Sequence, residues 1–137
     1  MKSLRTLLKV ARRELELLRR ALADQVARQA AVEDRILGHE QTLRAEQALA
    51  VRDYESARVY GGYAILAMSI RRTLEAEAAA IGQEVERLRG SIKEAHVETR
   101  KFERLIELEE TRARAALEKR EDAELDEMAT LRAGRTR

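Results

Sequence analysis

Residues 59–70 read Val59-Tyr60-Gly61-Gly62-Tyr63-Ala64-Ile65-Leu66-Ala67-Met68-Ser69-Ile70 and carry no charge in a chain that is 38% charged. This stretch decides the fold, because Gly61-Gly62 is the strongest helix breaker in the sequence and supplies the positive φ that a tight reversal requires. On either side the sequence is written for long helices.

Upstream, steps of four and three visit Leu4, Leu8, Ala11, Leu15, Leu18, Leu22, Gln25, Gln29, Val32, Ile36, His39, Leu43, Glu46 and Ala50. Ten of these fourteen are apolar and none is basic, although basic residues crowd between them. Such a stripe, sustained for almost seven heptads, is a coiled-coil seam. A stutter of four then leads to Tyr54. Downstream, a second walk visits Leu74, Ala78, Ile81, Val85, Leu88, Ile92, Ala95, Thr99, Phe102, Ile106, Glu109, Ala113 and Ala116, fading after Ile106. Leu125, Met128 and Leu131 continue an apolar stripe in shifted phase.

The expectation is an all-α, antiparallel two-helix coiled-coil hairpin over residues 1–137, with helices at about 3–59 and 63–133 and a turn at about 60–63. Reversal at residue 62 makes facing residue numbers sum to about 124, which sets Leu18 against Ile106, Leu22 against Phe102, Val32 against Ile92, Ile36 against Leu88 and Leu43 against Ile81. Ala11 then meets Ala113, and Gln25 meets Thr99 as a polar layer. Shifts of one heptad, to 117 or 131, also pair seam with seam, and only the glycines select 124. Each arm runs roughly 85 Å at 1.5 Å per residue, and residues 121–137 overhang. The alternative is one unbroken helix in a parallel dimer, carrying both glycines at roughly 1 kcal/mol each.

Composition agrees. Ala, Leu, Glu, Lys and Arg supply 88 of 137 residues, proline is absent and aromatics are 3%, a long-helix composition that excludes a β-rich fold. Without cysteine there is no disulfide framework, thiolate metal site or thiol nucleophile. The longest uncharged run, twelve residues, is short of the roughly 20 that a membrane helix needs, and charges recur from Lys2 onward, unlike a secretory signal. A cytoplasmic, soluble protein is expected.

Catalytic chemistry is not written in the chain. His39 falls on the seam; His96 has Glu94 and Glu98 nearby but no Glu-x-x-His pair, so no metal or other cofactor is expected, and Gly61-Gly62 lacks the Lys-Ser/Thr of a phosphate loop. No enzyme activity is expected. Net charge is +2, but residues 1–30 hold eight basic and three acidic side chains. Glu14 and Glu16 interrupt that cluster, unlike the dense basic helix of a DNA reader, so Arg12, Arg13, Arg19 and Arg20 read first as a solvated charged face and next as a protein-docking surface, ahead of nucleic acid.

Two binding surfaces stand out. Tyr60, Tyr63, Ile65, Leu66, Met68 and Ile70 surround the helix on several faces, more than a second helix can cover, and exposed apolar patches mark partner sites; folding of this tip over itself or self-association in trans is the rival account. At the other end, basic helix one meets Glu121-Asp122-Ala123-Glu124-Leu125-Asp126-Glu127-Met128-Ala129.

These features resemble the FliJ family of the bacterial flagellar type III export apparatus, with the injectisome YscO proteins as relatives. The likeness lies in Met1-Lys2-Ser3-Leu4-Arg5-Thr6-Leu7, in Tyr63-x-x-Leu66-x-x-x-Ile70, in Lys101-Phe102-Glu103-Arg104-Leu105 and in Leu125-Asp126-Glu127-Met128-Ala129. The resemblance implies a non-catalytic stalk similar to the γ subunit of rotary ATPases. Its paired termini would insert into the ring of a FliI-like export ATPase, through Arg12, Arg13, Arg19, Arg20, Leu125, Asp126, Glu127 and Met128. It further implies contact with a FlhA-like export gate through Tyr63, Leu66, Ile70 and Thr73. Tyr54 joins that gate set on packing grounds alone. Escort of export chaperones, a role in motility, and peripheral attachment to the inner-membrane export apparatus come with the family. A generic structural or adaptor coiled coil is the alternative, with a basic helical nucleic-acid binder behind it.

Overall fold

The computed structural model describes residues 2–135. Two helices account for all of them but one: α1, Lys2–Arg52, and α2, Tyr54–Arg135. They pack against each other as an all-α hairpin, as the two seams require.

The reversal is not where the glycines point. Gly61 and Gly62 lie inside α2, neither has a positive φ, and a Cβ on either would meet nothing within 4 Å. The break is Asp53 alone. Its amide still donates to Leu49 O at 3.1 Å, and its carbonyl already accepts the Ala57 amide at 3.0 Å. Its carboxylate receives the Glu55 amide on Oδ1 and the Ser56 hydroxyl on Oδ2, each at 3.2 Å. Asp53 is thus the N-cap of α2, satisfying one of the amides that a helix start leaves orphaned. Arg52 in the last turn of α1 and Glu55 in the first turn of α2 complement the two helix dipoles. The expected turn at 60–63, and the helix limits 59 and 63, are corrected accordingly. Glycine permits a left-handed conformation without requiring one, whereas the capping aspartate gains two hydrogen bonds only if the helix restarts after it.

Two compact units divide the chain, one of residues 16–93 and one of residues 1–15 with 94–137. In the first, Val32, Ala67, Leu74, Val85 and Leu88 are buried. Cross-helix ion pairs join Arg35 to Glu77 at 3.1 Å and Arg71 to Glu40 at 2.5 Å, so facing numbers sum to 112 and 111. In the second unit Leu8, Ala11, Leu15 and Thr99 are buried. Arg5 pairs with Glu110 at 3.4 Å and Arg12 with Glu103 at 3.3 Å, sums of 115 in both cases. Ile106 therefore lies beside Leu8, not Leu18, and Ala113, expected against Ala11, is exposed. The register of 124 and the pairs drawn from it are overturned; the heptad-shifted alternative of 117 comes nearer.

The seams themselves are where the heptads put them. All fourteen positions from Leu4 to Ala50 are buried or half-buried, as are the eleven from Leu74 to Glu109. Glu110 is the last α2 residue that is not exposed; every described residue from Thr111 to Arg135 is exposed. The overhang thus starts ten residues before the expected 121, with its last two residues, 136 and 137, outside the described part.

Gly61→Ala and Gly62→Ala should each raise stability by about 0.5–1 kcal/mol, the helix-propensity difference, while Asp53→Ala should lower it by about 1 kcal/mol through loss of the cap. Thermal unfolding followed by circular dichroism reads both signs, and destabilisation by alanine at 61 or 62 would return the turn to the glycines. In this cysteine-free chain, Leu8→Cys with Ile106→Cys should form an intramolecular disulfide under mild oxidation, and Leu18→Cys with Ile106→Cys should not.

Candidate protein-binding surfaces

Two shallow grooves run along the described part of the hairpin. One of about 440 Å³ is lined by Arg5, Leu8, Lys9, Arg12, Ile106 and Glu110. Another, of about 380 Å³, surrounds the corner with Glu46, Asp53, Ser56, Val59, Tyr60 and Tyr63 among its walls. Neither gathers the base, nucleophile and oxyanion donors of a reaction centre. Among the described residues no three His, Asp or Glu side chains converge as metal ligands. His39 is half-buried with Nε2 3.0 Å from the Ala67 carbonyl, a seam position satisfied across the interface by a ring proton on Nε2. His96 is exposed. No described helix is long and apolar enough to cross a membrane.

Past the corner, α2 carries more apolar surface than α1 covers. Val59 is 71% exposed, Leu66 58% and Ile70 42%. At about 100° per residue, Val59, Leu66, Ile70 and Thr73 form one stripe that flanks the buried line through Tyr60, Ala67 and Leu74. Tyr63 sits on the border between them, half-buried, its ring centroid 6.3 Å from that of Tyr60. The Thr73 hydroxyl donates back to Ser69 O at 3.1 Å, which leaves its methyl on the stripe. Four of the five expected gate residues therefore share one flank. Tyr54 does not: it is 78% exposed and lies about a third of a turn away, on the side of Ile65 and Met68.

Below this stripe, Arg71 bridges two carboxylates, Glu40 across the interface and Glu75 one turn on at 2.7 Å. The Arg71 hydrogen bond, then its charge, holds the Glu40 carboxyl below its ordinary value, and the two carboxylates raise the guanidinium in turn. Arg87 lowers Glu84 in the same way from one turn along α2.

The four arginines named from sequence are all exposed. Arg12 is engaged by Glu103 and Arg20 by Glu16 at 2.7 Å, while Arg13 and Arg19 have no ion-pair partner among the described residues. On α2, Leu125 is 63% exposed, Met128 56% and Leu131 62%, and Leu117 nearer the paired region is 51% exposed. Leu117, Met128 and Leu131 continue the helix face that carries Thr99 and Ile106 onto α1, now with nothing against it. Asp126 and Glu127 stand on the same exposed helix. Sequence reasoning missed the groove over Leu8 and Ile106; its only trace was the 4-3 spacing of Arg5, Lys9 and Arg12 around a seam leucine.

The fold is a two-helix hairpin that leaves an apolar stripe past the corner and an amphipathic helix end exposed. The sequence profile described as flagellar FliJ protein matches residues 1–137, and the chain belongs to the FliJ family, as a structural component of flagellar protein export. No curated protein and no solved structure matches the chain.

The Glu40–Arg71 pair sets a sign for pH. Because the folded-state value of Glu40 lies below its ordinary 4.5, its contribution is complete above that value and is lost as pH falls through the lower, folded one. Glu40→Gln should therefore lower the melting temperature at neutral pH and flatten its fall on acidification; an unchanged acid limb would remove this pair from the balance.

Proposed function

We propose that the chain is a non-catalytic stalk of the export apparatus, working in the cytoplasm and joining an export ATPase to the membrane-embedded export gate. The observation that carries this reading is the exposed helix of residues 111–135, whose apolar face at Leu117, Met128 and Leu131 continues the buried seam. A helix face of that kind is completed by insertion into a protein collar, and a ring ATPase offers one. Leu125, Asp126, Glu127 and Met128 would line the ring from α2. Arg12 and Arg13, with Arg19 and Arg20 further along α1, would supply countercharge.

The stripe of Tyr63, Leu66, Ile70 and Thr73 is assigned to the gate. Its support is uncovered apolar area on a rigid helix, where tyrosine and aliphatic side chains make good contact residues. Tyr54, on another face, would belong to a separate contact. Empty export chaperones are a third class of partner, and the charge-free faces past the corner suit them. The family link to flagellar export makes these partners coherent; attachment to the membrane would then run through the gate alone.

The test uses the purified chain and the export ATPase of the same system. Full-length protein should promote ATPase oligomerisation, and truncation after Arg120 should weaken that effect at least tenfold with the remaining hairpin still helical. Leu66→Asp with Ile70→Asp should abolish capture of the gate's cytoplasmic domain and leave ATPase stimulation intact. Full ATPase stimulation by the truncated chain would refute the stalk assignment.

A further inference from the structure

The groove over Leu8 and Ile106 is basic on its α1 side. Arg5 and Arg12 reach across it to Glu110 and Glu103 at 3.4 and 3.3 Å, with the arginine side chains 64% and 59% exposed. Pairs this long and this wet exchange partners at little cost. Lys9, between them on the groove wall, has no ion-pair partner among the described residues. On the unpaired helix, Glu121, Asp122, Glu124, Asp126 and Glu127 place five carboxylates within seven residues, none in an ion pair among the described residues. Leu125 and Met128 stand among them, more than half exposed. One segment offers acid around an apolar pair; the groove offers base around an apolar floor.

We infer that the occupant of this groove is the acidic helix of a second copy of the chain, giving a two-fold dimer in which each tail lies in the other's furrow. A two-fold axis across the helices sets the tail of one copy parallel to α1 of the other. Asp122 then comes to Arg5 and Asp126 to Lys9 along one flank of the tail, with Leu125 and Met128 over Leu8 and Ile106. The tail of 25 residues is roughly 38 Å long at 1.5 Å per residue. It clears its own α1 before reaching these positions, so the two hairpin ends abut without overlap. Tail-on-tail pairing is disfavoured, since it sets one acidic cluster against the other. The contact is isologous and closes as a dimer. It goes beyond the stalk reading and does not need it: a tail seated on a second copy is withheld from any other protein, so release of the dimer would precede docking.

Sedimentation of the full-length chain at increasing concentration tests this. A monomer–dimer equilibrium that weakens with added salt is expected, since the attraction is between solvent-exposed charges. Lys9→Glu and Asp126→Lys should each weaken the dimer about tenfold, because each substitution spoils two symmetry-related contacts. Mixed one to one, the two variants should form a heterodimer of near wild-type strength, as both contacts are then matched again. A monomer at every concentration up to the millimolar range overturns the proposal. So does a dimer indifferent to both reversals, one that survives truncation after Arg120, or one lost instead with Leu66→Asp, which would assign self-association to the stripe past the corner.

Discussion

Asp53 holds the one non-helical position among the described residues with two side-chain hydrogen bonds, and the rest of the structure follows from where that residue sits. A corner at 53 leaves 51 residues in the first helix and 82 in the second. Helices that rise equally per residue cannot pair beyond the shorter one, so a long stretch of α2 must stand without a partner. A corner ten residues later would have brought the arms closer in length and shortened that stretch. The exposed end is therefore a consequence of one capping residue, not of disorder or of weak helix propensity.

Within the paired part, the core is thin and partly polar. Gln25, Gln29, His39, Glu46 and Thr99 take seam positions that leucine would fill in a coil built only for stability. Thr99 returns its hydroxyl to Ala95 O at 2.9 Å and His39 reaches Ala67 O, so these two side chains are satisfied where they lie. Displacing the helices by a heptad would break the His39 contact and mispair Arg35, Arg71, Arg5 and Arg12. Polar seam residues are known to select register at some expense of stability, and here they act where apolar heptads alone leave the register degenerate.

That degeneracy explains what was legible in the sequence. The period of 3.5 marked the seam residue by residue as far as Glu109 but ran on to Ala113 and Ala116, which are exposed, and the stutter between Ala50 and Tyr54 fell on the corner itself. Gly61-Gly62 outweighed it because glycine is the familiar sign of a reversal, yet a solvent-facing helix carries two glycines at a modest cost. The Asp53 cap was visible only as an aspartate before a short polar run, a common pattern. The stripe of Leu66 and Ile70 was legible from the lack of charge alone. The groove over Leu8 and Ile106, and the true length of the unpaired end, depend on which residues face each other, and no heptad count supplies that.

The unpaired end also bears on how binding and order are linked. Isolated helices shorter than about 12–15 residues are marginal in water, and longer ones rely on favourable side-chain spacing. Here Glu118, Asp122 and Asp126 repeat at i, i+4, a like-charge row that weakens the helix by a few tenths of a kcal/mol per pair. Lys119 stands three residues before Asp122 and Arg120 four before Glu124, within neighbour reach on the helix surface, but no cation stands three or four residues from Asp126 or Glu127. Cations from another surface would relieve the row and cover Leu125 and Met128 in one step. The segment is thus built to gain more from a basic, apolar-floored partner than from solvent, and the same carboxylates that strain the helix alone define which partners can complete it.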